Sequence, residues 1–470
     1  MGESKFDRVL SKKDIFAIAF GAMIGWGWVV MAGDWILGAG TIGAMIAFAI
    51  GGIMVLFVGL TYAELTAAMP QCGGEHVFSY RALGKNGSFI CTWAIILGYV
   101  GVVAFEACAF PTVIQYIAPG FLKGYMYTIA GFDVYASWVA VAIIASIIIT
   151  GINFFGAKPA AVLQTVLTMG IAAIGIALVA GSALSGDVET MEPLFHNGIG
   201  GILKVAVMTP FMFVGFDVIP QAAEEINVPF KKIGKIMILS IAMAVVWYVL
   251  IIIAVSMVMD KMSMEASTLT TADAMMRAFG NSKLAANVVI IGGMAGILTS
   301  WNSFFMGGSR AIYALAESHM LPAPLKKLHP TYKTPTNAVL LIGIISCVAP
   351  FFGRAMMVWL TDAGSFGVVV AYVLVALSFV VLRYKEPEMP RPYKVRYGKA
   401  VGIIAVILAG LMAMLYVIPG FSSALVMEEW IIVGLWIVAG AISYSYATAK
   451  YGSEFGAHRM VYYVEPEVSE

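Results

Sequence analysis

Stretches of about 18 or more apolar residues recur along almost the whole of this 470-residue chain. Each is long enough to cross a bilayer, because ~20 residues at a rise of ~1.5 Å cover a hydrocarbon core of ~30 Å. The rest of the composition leaves no other solvent for them. Residues are 61% hydrophobic and 12% charged, against roughly 25% charged in an average soluble domain. An all-α polytopic membrane protein is therefore expected. Twelve transmembrane helices are predicted over residues 14–38, 41–69, 88–118, 134–154, 160–184, 202–223, 234–259, 284–316, 336–352, 355–381, 399–418 and 428–449. An even number puts both termini on one side. With residues 1–13 as a cytoplasmic amino-terminal tail and 450–470 as a cytoplasmic carboxyl-terminal tail, 22 of the 28 basic residues fall on the cytoplasmic side. That is the bias of cytoplasmic loops. The exceptions are Lys123, Lys204, Lys261, Arg277, Lys283 and Arg354. Compact loops and short tails point to the plasma membrane of a bacterium, and the run after Lys13 is too long for a signal peptide.

Several function classes lose their usual support. Net charge is +1, which gives no basis for a nucleic-acid partner. Cys72, Cys91, Cys108 and Cys347 do not form a disulfide framework, and His76, His196, His319, His329 and His458 have no ligand spacing for a metal centre. No phosphate-binding GxxxxGK[ST] loop and no GxSxG nucleophile turn occurs. No catalytic residue and no cofactor is expected, and function is sought in the membrane helices.

Two of those helices weaken themselves. The first contains Gly21-Ala22-Met23-Ile24-Gly25-Trp26-Gly27-Trp28, and each glycine inside a helix costs about 0.5–1 kcal/mol relative to alanine. The sixth contains Thr209-Pro210-Phe211-Met212-Phe213-Val214-Gly215-Phe216-Asp217-Val218-Ile219-Pro220. Broken backbone at membrane depth survives only where it faces protein, a cavity or a bound solute. Two discontinuous helices, five apart in order, form the pattern of a transporter built from inverted repeats. Helices one to five (14–184) and six to ten (202–381) are the predicted repeats, followed by two further helices over 399–449.

The chain resembles the amino acid–polyamine–organocation transporter superfamily, in which a five-plus-five inverted-repeat (LeuT-like) core is followed by two carboxyl-terminal helices. Four segments carry the resemblance. They are Gly21 with Ile24-Gly25-Trp26-Gly27; Pro70-Gln71-Cys72-Gly73-Gly74-Glu75-His76-Val77-Phe78; Phe213 to Asp217 with Ala222-Ala223-Glu224-Glu225; and Ser309-Arg310-Ala311-Ile312-Tyr313 with Leu321-Pro322 and Thr334-Pro335-Thr336-Asn337. The implied activity is permease-type secondary transport of a small amino acid by alternating access. The implied substrate site is Ile24, Gly25, Trp26, Gly27 and Trp28 in the first break and Phe211, Phe213, Gly215 and Asp217 in the sixth helix. The first break offers N–H groups to a carboxylate, the second offers carbonyls to an ammonium, and Phe211 aligns with the family's gating aromatic. Glu106, an acid inside the third helix among small residues, joins the set as an amine or proton ligand.

Trp26 and Trp28 support two readings: a pocket narrowed for a small amino acid, or an aromatic cage for an amine or quaternary ammonium. Coupling is equally open. Several relatives carry a lysine in the fifth helix beside the first break, and alignment puts Gly170 there instead. Gly21, Ile24, Gly296, Thr299 and Ser300 reproduce the spacing of a sodium site in transporters of the same architecture, with the eighth-helix members at i, i+3 and i+4 on one face. Sodium symport, proton coupling through Glu106 or Asp217, and amino acid exchange remain the alternatives, with a channel or receptor as a remote one. The partners expected are the solute and the lipid bilayer, and a monomer suffices.

Overall fold

The computed structural model describes residues 5–457. His458 and the rest of the predicted tail to 470, like residues 1–4, lie outside the described residues. The chain is a helical membrane protein with ten stretches long and apolar enough to cross a bilayer among the described residues. Its outer faces are apolar as a bilayer requires: Ile144, Ile147 and Ile148 on one such helix are 56–58% exposed.

The first stretch is divided as the glycines predicted. Helix α1 (Lys12–Met23) stops, and α2 (Gly27–Val30) and α3 (Ala32–Ala39) resume after it. At the start of α1 the Ser11 N–H and hydroxyl both donate to the Asp14 carboxylate. Next come α4 (Thr41–Ala68) and α5 (Glu75–Ile117). The latter starts earlier than the predicted 88–118 because helix continues on both sides of Gly84, whose φ of +78° turns the chain without ending it. The link between the third and fourth predicted helices holds a small hairpin, β1 (Tyr125–Ile129) and β2 (Phe132–Tyr135), so the expected all-α protein is not helical throughout. Ala130 and Gly131, both with positive φ, make its two-residue turn.

Helices α6 (Ala136–Phe154) and α7 (Ala157–Ser185) follow. The predicted sixth helix is in pieces: α8 (Gly198–Ala206), α9 (Thr209–Met212) and α10 (Val218–Gln221), none long enough to span alone. Helix α11 (Phe230–Val258), the short α12 (Lys261–Ala266) and α13 (Thr270–Ala278), and α14 (Lys283–Glu317) come next. Helices α15 (Thr336–Val348) and α16 (Gly353–Lys385) belong to one 50-residue apolar stretch, with a tight turn at Ala349–Phe352 between them. Proline at 350 removes a helical donor there. The difference between twelve runs in the sequence and ten long stretches lies in this pair and in the broken sixth helix. Helices α17 (Gly398–Val417) and α18 (Met427–Tyr451) complete the chain.

α1 is bonded to its neighbours at its backbone. The Thr299 and Ser303 hydroxyls of α14 donate to the carbonyls of Gly21 and Ile18 at 2.9 and 3.0 Å, and Gln164 and Thr168 of α7 both reach the carbonyl of Ala17. These second bonds to carbonyls anchor the half-helix that leads into the first break.

Candidate functional site

Helix α1 ends where the Ile24 N–H makes its last bond, to the Phe20 carbonyl at 3.0 Å. Helix resumes with Val29 bonding to Trp26 and Met31 to Gly27. Between the two, the N–H groups of Gly25 and Trp26 meet no protein acceptor among the described residues. Two glycines of α14 make room for the break. A Cβ at Gly296 would lie 2.6 Å from the Gly25 carbonyl oxygen, and one at Gly293 would lie 1.7 Å from the Trp26 ring. The chain opens because the facing helix has been hollowed to receive it.

A cavity of about 230 Å³ adjoins this break, with Gly25, Trp26, Gly27, Glu106 and Phe211 in its wall. Five of the sequence-predicted substrate residues therefore share one space. Glu106 is 6% exposed. The Ser300 hydroxyl, also in the wall, donates to its Oε1, and its Oε2 has no protein partner. The remaining wall is mostly apolar: Met23, Met31 and Met212 with Phe105 and Phe304. Tyr248 contributes its ring while its hydroxyl donates to the Met23 carbonyl at 2.7 Å, covering one of the carbonyls that end α1. Arg354, exposed, reaches the same cavity. Sequence reasoning passed over these residues. Arg354 alone had a signal, as one of the six basic residues on the sparsely basic side.

The other predicted members lie elsewhere. Trp28 is fully buried with its ring edge-on to Trp247 at 5.4 Å, so it does not form a cage with Trp26. Two positions along a helix differ by ~200° of rotation, enough to send the second indole to the opposite face. Ile24 is fully buried against the core, and Phe213 packs between Phe48 and Tyr248.

The second break is closed on itself. Gly215 has φ +138°, and a Cβ there would stand 2.6 Å from the Cβ of Ala22 on α1, so both conformation and contact demand glycine. Asp217 is fully buried and accepts three bonds: the Gly215 N–H at 2.8 Å, the Tyr99 hydroxyl at 2.7 Å and the Tyr372 hydroxyl at 3.0 Å. Gly215 and Asp217 are absent from the cavity wall.

Of the predicted ion set, Thr299 Oγ1 lies 2.9 Å from the carbonyl oxygens of both Gly21 and Gly296, its single proton shared between them. Ser300, engaged with Glu106, also lies 3.2 Å from the Gly296 carbonyl. Thr299 Oγ1 thus sits between two carbonyl oxygens, one of them from α1. Beside this set the fifth-helix residues are Gln164 and Thr168, with the Thr168 hydroxyl 2.2 Å from where a Gly21 Cβ would sit; Gly170 is exposed with nothing near it. The alignment that placed Gly170 next to the first break is corrected by two residues, and no lysine replaces it.

A many-span helical protein whose cavity is walled by a discontinuous helix, with free backbone donors on one side and a buried acid on another, has the parts of a solute transporter and not of an enzyme. The family model for amino acid permeases matches residues 10–443. The chain belongs to the amino acid permease family, whose fold is LeuT-like. It is similar to the branched-chain amino acid permease BcaP of Bacillus subtilis, 27% identical over 411 residues and 84% of each chain. It is 26% identical to the methylthioribose transporter of the same organism over 456 residues, 94% of each chain. It is 24% identical to a vacuolar cationic amino acid transporter of Arabidopsis thaliana over 401 residues, 82% of this chain and 65% of the relative.

Proposed function

We propose that this permease carries a small apolar amino acid across the bacterial plasma membrane by cation-coupled alternating access. The observation that carries the reading is the unpaired N–H of Gly25 and of Trp26 at a cavity whose wall also holds the unpaired Oε2 of Glu106. A substrate carboxylate satisfies the donors, its ammonium meets Glu106, and its side chain lies among the methionine and phenylalanine side chains. A volume near 230 Å³ is below the ~300 Å³ at which drug-sized pockets begin and suits a single amino acid. The similar BcaP, by its name, takes branched-chain amino acids.

In this reading the chain crosses the bilayer twelve times with both termini cytoplasmic. The pieces of 198–221 count as one crossing, and α15 and α16 count as two. Residues 14–184 and 202–381 form the inverted repeats, Phe211 covers the substrate, and the coupling cation is sodium at Gly21, Ile24, Gly296, Thr299 and Ser300. A second reading, an amine lacking a carboxylate, is favoured by the Trp26 ring and Glu106 in one wall.

Thermal stability of the detergent-purified protein tests both, since a bound ligand raises apparent stability by mass action. Valine, leucine, lysine, choline and methylthioribose are each added in sodium or in potassium. Stabilisation by valine or leucine that needs sodium supports the main reading. Stabilisation by choline alone overturns the carboxylate assignment, and indifference to sodium removes the ion site. Valine counterflow in liposomes then separates a carrier from a channel.

A further inference from the structure

The sixth-helix break has a second buried acid at its far end. Glu75 opens α5 and is fully buried, as are Gln221 at the end of α10 and Tyr62 on α4. Gln221 Nε2 donates to Glu75 Oε2. Glu75 Oε1, the Gln221 carbonyl oxygen and the Tyr62 hydroxyl are each without a hydrogen-bond partner. Among the described residues no basic side chain pairs with the carboxyl. The titratable groups that interact with it are Tyr62 from α4, Asp217 from the broken helix, and Cys91 and Tyr99 from α5 itself. Tyr372 from α16 stands behind Tyr62, with ring centroids 5.7 Å apart. His76, the next residue, spends one ring nitrogen on Ser318 and the other on Ser88.

An ionised carboxylate in such a place costs several kcal/mol without a cation. Hydrogen-bond accounting points the same way. With Glu75 ionised, the three unpaired oxygens have one proton among them, that of Tyr62; with Glu75 protonated they have two. The same tyrosines continue to the break, because Tyr372 donates to Asp217. Asp217, Tyr372, Tyr62 and Glu75 are thus buried polar groups in succession, Tyr372 bonded to Asp217 and packed by its ring on Tyr62.

We propose that Glu75 is a proton-binding residue of the transport cycle, protonated in this conformation and the point from which the proton leaves to the cytoplasm. When α10 moves aside, the Glu75 O–H bond breaks, the proton passes to an entering water, and the carboxylate takes that water's hydrogen bonds in exchange. This rests on the transport reading above and adds a proton to the coupling, whichever cation sits at Thr299.

Infrared difference spectra of the purified protein and of Glu75→Gln at neutral pH test the protonation without any substrate. The protonated-carboxyl stretch is expected in the parent and absent in the variant; identical spectra overturn the proposal. Should Glu75→Gln fail to fold, Glu75→Asp is used, and the band must shift. In liposomes with equal sodium on both sides, tritiated valine accumulation driven by an acidic exterior should fall roughly a hundredfold in Glu75→Gln, the scale of losing a positioned proton-transfer group. Counterflow, which moves no net proton, should persist. Unchanged pH-driven accumulation overturns the proposal. Absence of valine counterflow in the parent fails the transport reading instead, and the infrared comparison still decides whether Glu75 holds the proton.

Discussion

The two broken helices differ in where their polar groups are spent. At the first break the backbone is left open: Gly25 and Trp26 stand in the wall of a cavity, and their N–H groups have no protein acceptor among the described residues. At the second, Asp217 takes the Gly215 N–H and two tyrosine hydroxyls, and although Val214 lines the cavity, Gly215 lies against α1 and neither it nor Asp217 is in the cavity wall. A break in a membrane helix is therefore not by itself a binding site. It becomes one only where something other than protein must complete its hydrogen bonds, because the bilayer supplies none.

Substitutions at the two breaks should separate along this line. The largest effect is expected for Gly215→Ala, which forces a Cβ into positive φ and to 2.6 Å from Ala22. A loss of about 3 kcal/mol or more is anticipated, read as a lower melting temperature in detergent. At the first break, a Cβ on Gly25 meets Ser300 at an ordinary 3.5 Å. Gly25→Ala should melt close to the parent while losing most of the stabilisation by valine. Equal destabilisation by the two would break the comparison.

Asp217→Asn follows in size. It removes the charge from three donors, and charge-assisted bonds of this kind are worth about 1–3 kcal/mol each; a fall in melting temperature with or without ligand is expected. Glu106→Gln keeps an oxygen for Ser300 and should leave the unliganded protein within about 1 kcal/mol of the parent. Its valine affinity should drop roughly tenfold, as for one lost charged contact. An unaltered affinity would remove Glu106 from the site.

The smallest effect belongs to a control outside both breaks. Arg81 Nε lies 3.1 and 3.0 Å from the two carboxylate oxygens of Glu386, and these hydrogen bonds hold the Glu386 carboxyl below its usual range. A depressed carboxyl contributes its stability above its unfolded value and loses it as pH falls through the folded one. Glu386→Gln should therefore cost less than about 1 kcal/mol at neutral pH and nothing in acid, in melting curves at both. A larger loss would mean that interfacial pairs rival the breaks in importance.

Much of the first break was legible before any coordinates, because three glycines in seven residues of an apolar run have no better explanation in a bilayer. Gly215 and Asp217 were legible for the same reason. Their use was not. The sequence places an acid two residues after a glycine, but the hydroxyls that occupy it arrive from Tyr99 and Tyr372, distant in the chain. Trp28 illustrates the opposite failure. Beside Trp26 in sequence it looked like half of an aromatic cage, yet it packs on Trp247. Glu75, unremarkable among loop residues, acquires its interest only from the unpaired groups of Tyr62 and Gln221 around it.

What the sequence by itself determined is whatever depends on neighbours along the chain: the run lengths that demand a bilayer, the basic bias between loops, and the points where glycine and proline interrupt helix. These are local, since helical hydrogen bonds close within four residues and span length is a property of one segment. Which residues face the cavity, which acid is answered by tyrosines and which is left with a bare oxygen were decided by tertiary structure alone. A helix's rotation is set by what packs on it, here by the missing side chains of Gly293 and Gly296 on α14 against the first break. No periodicity within either helix carries that information.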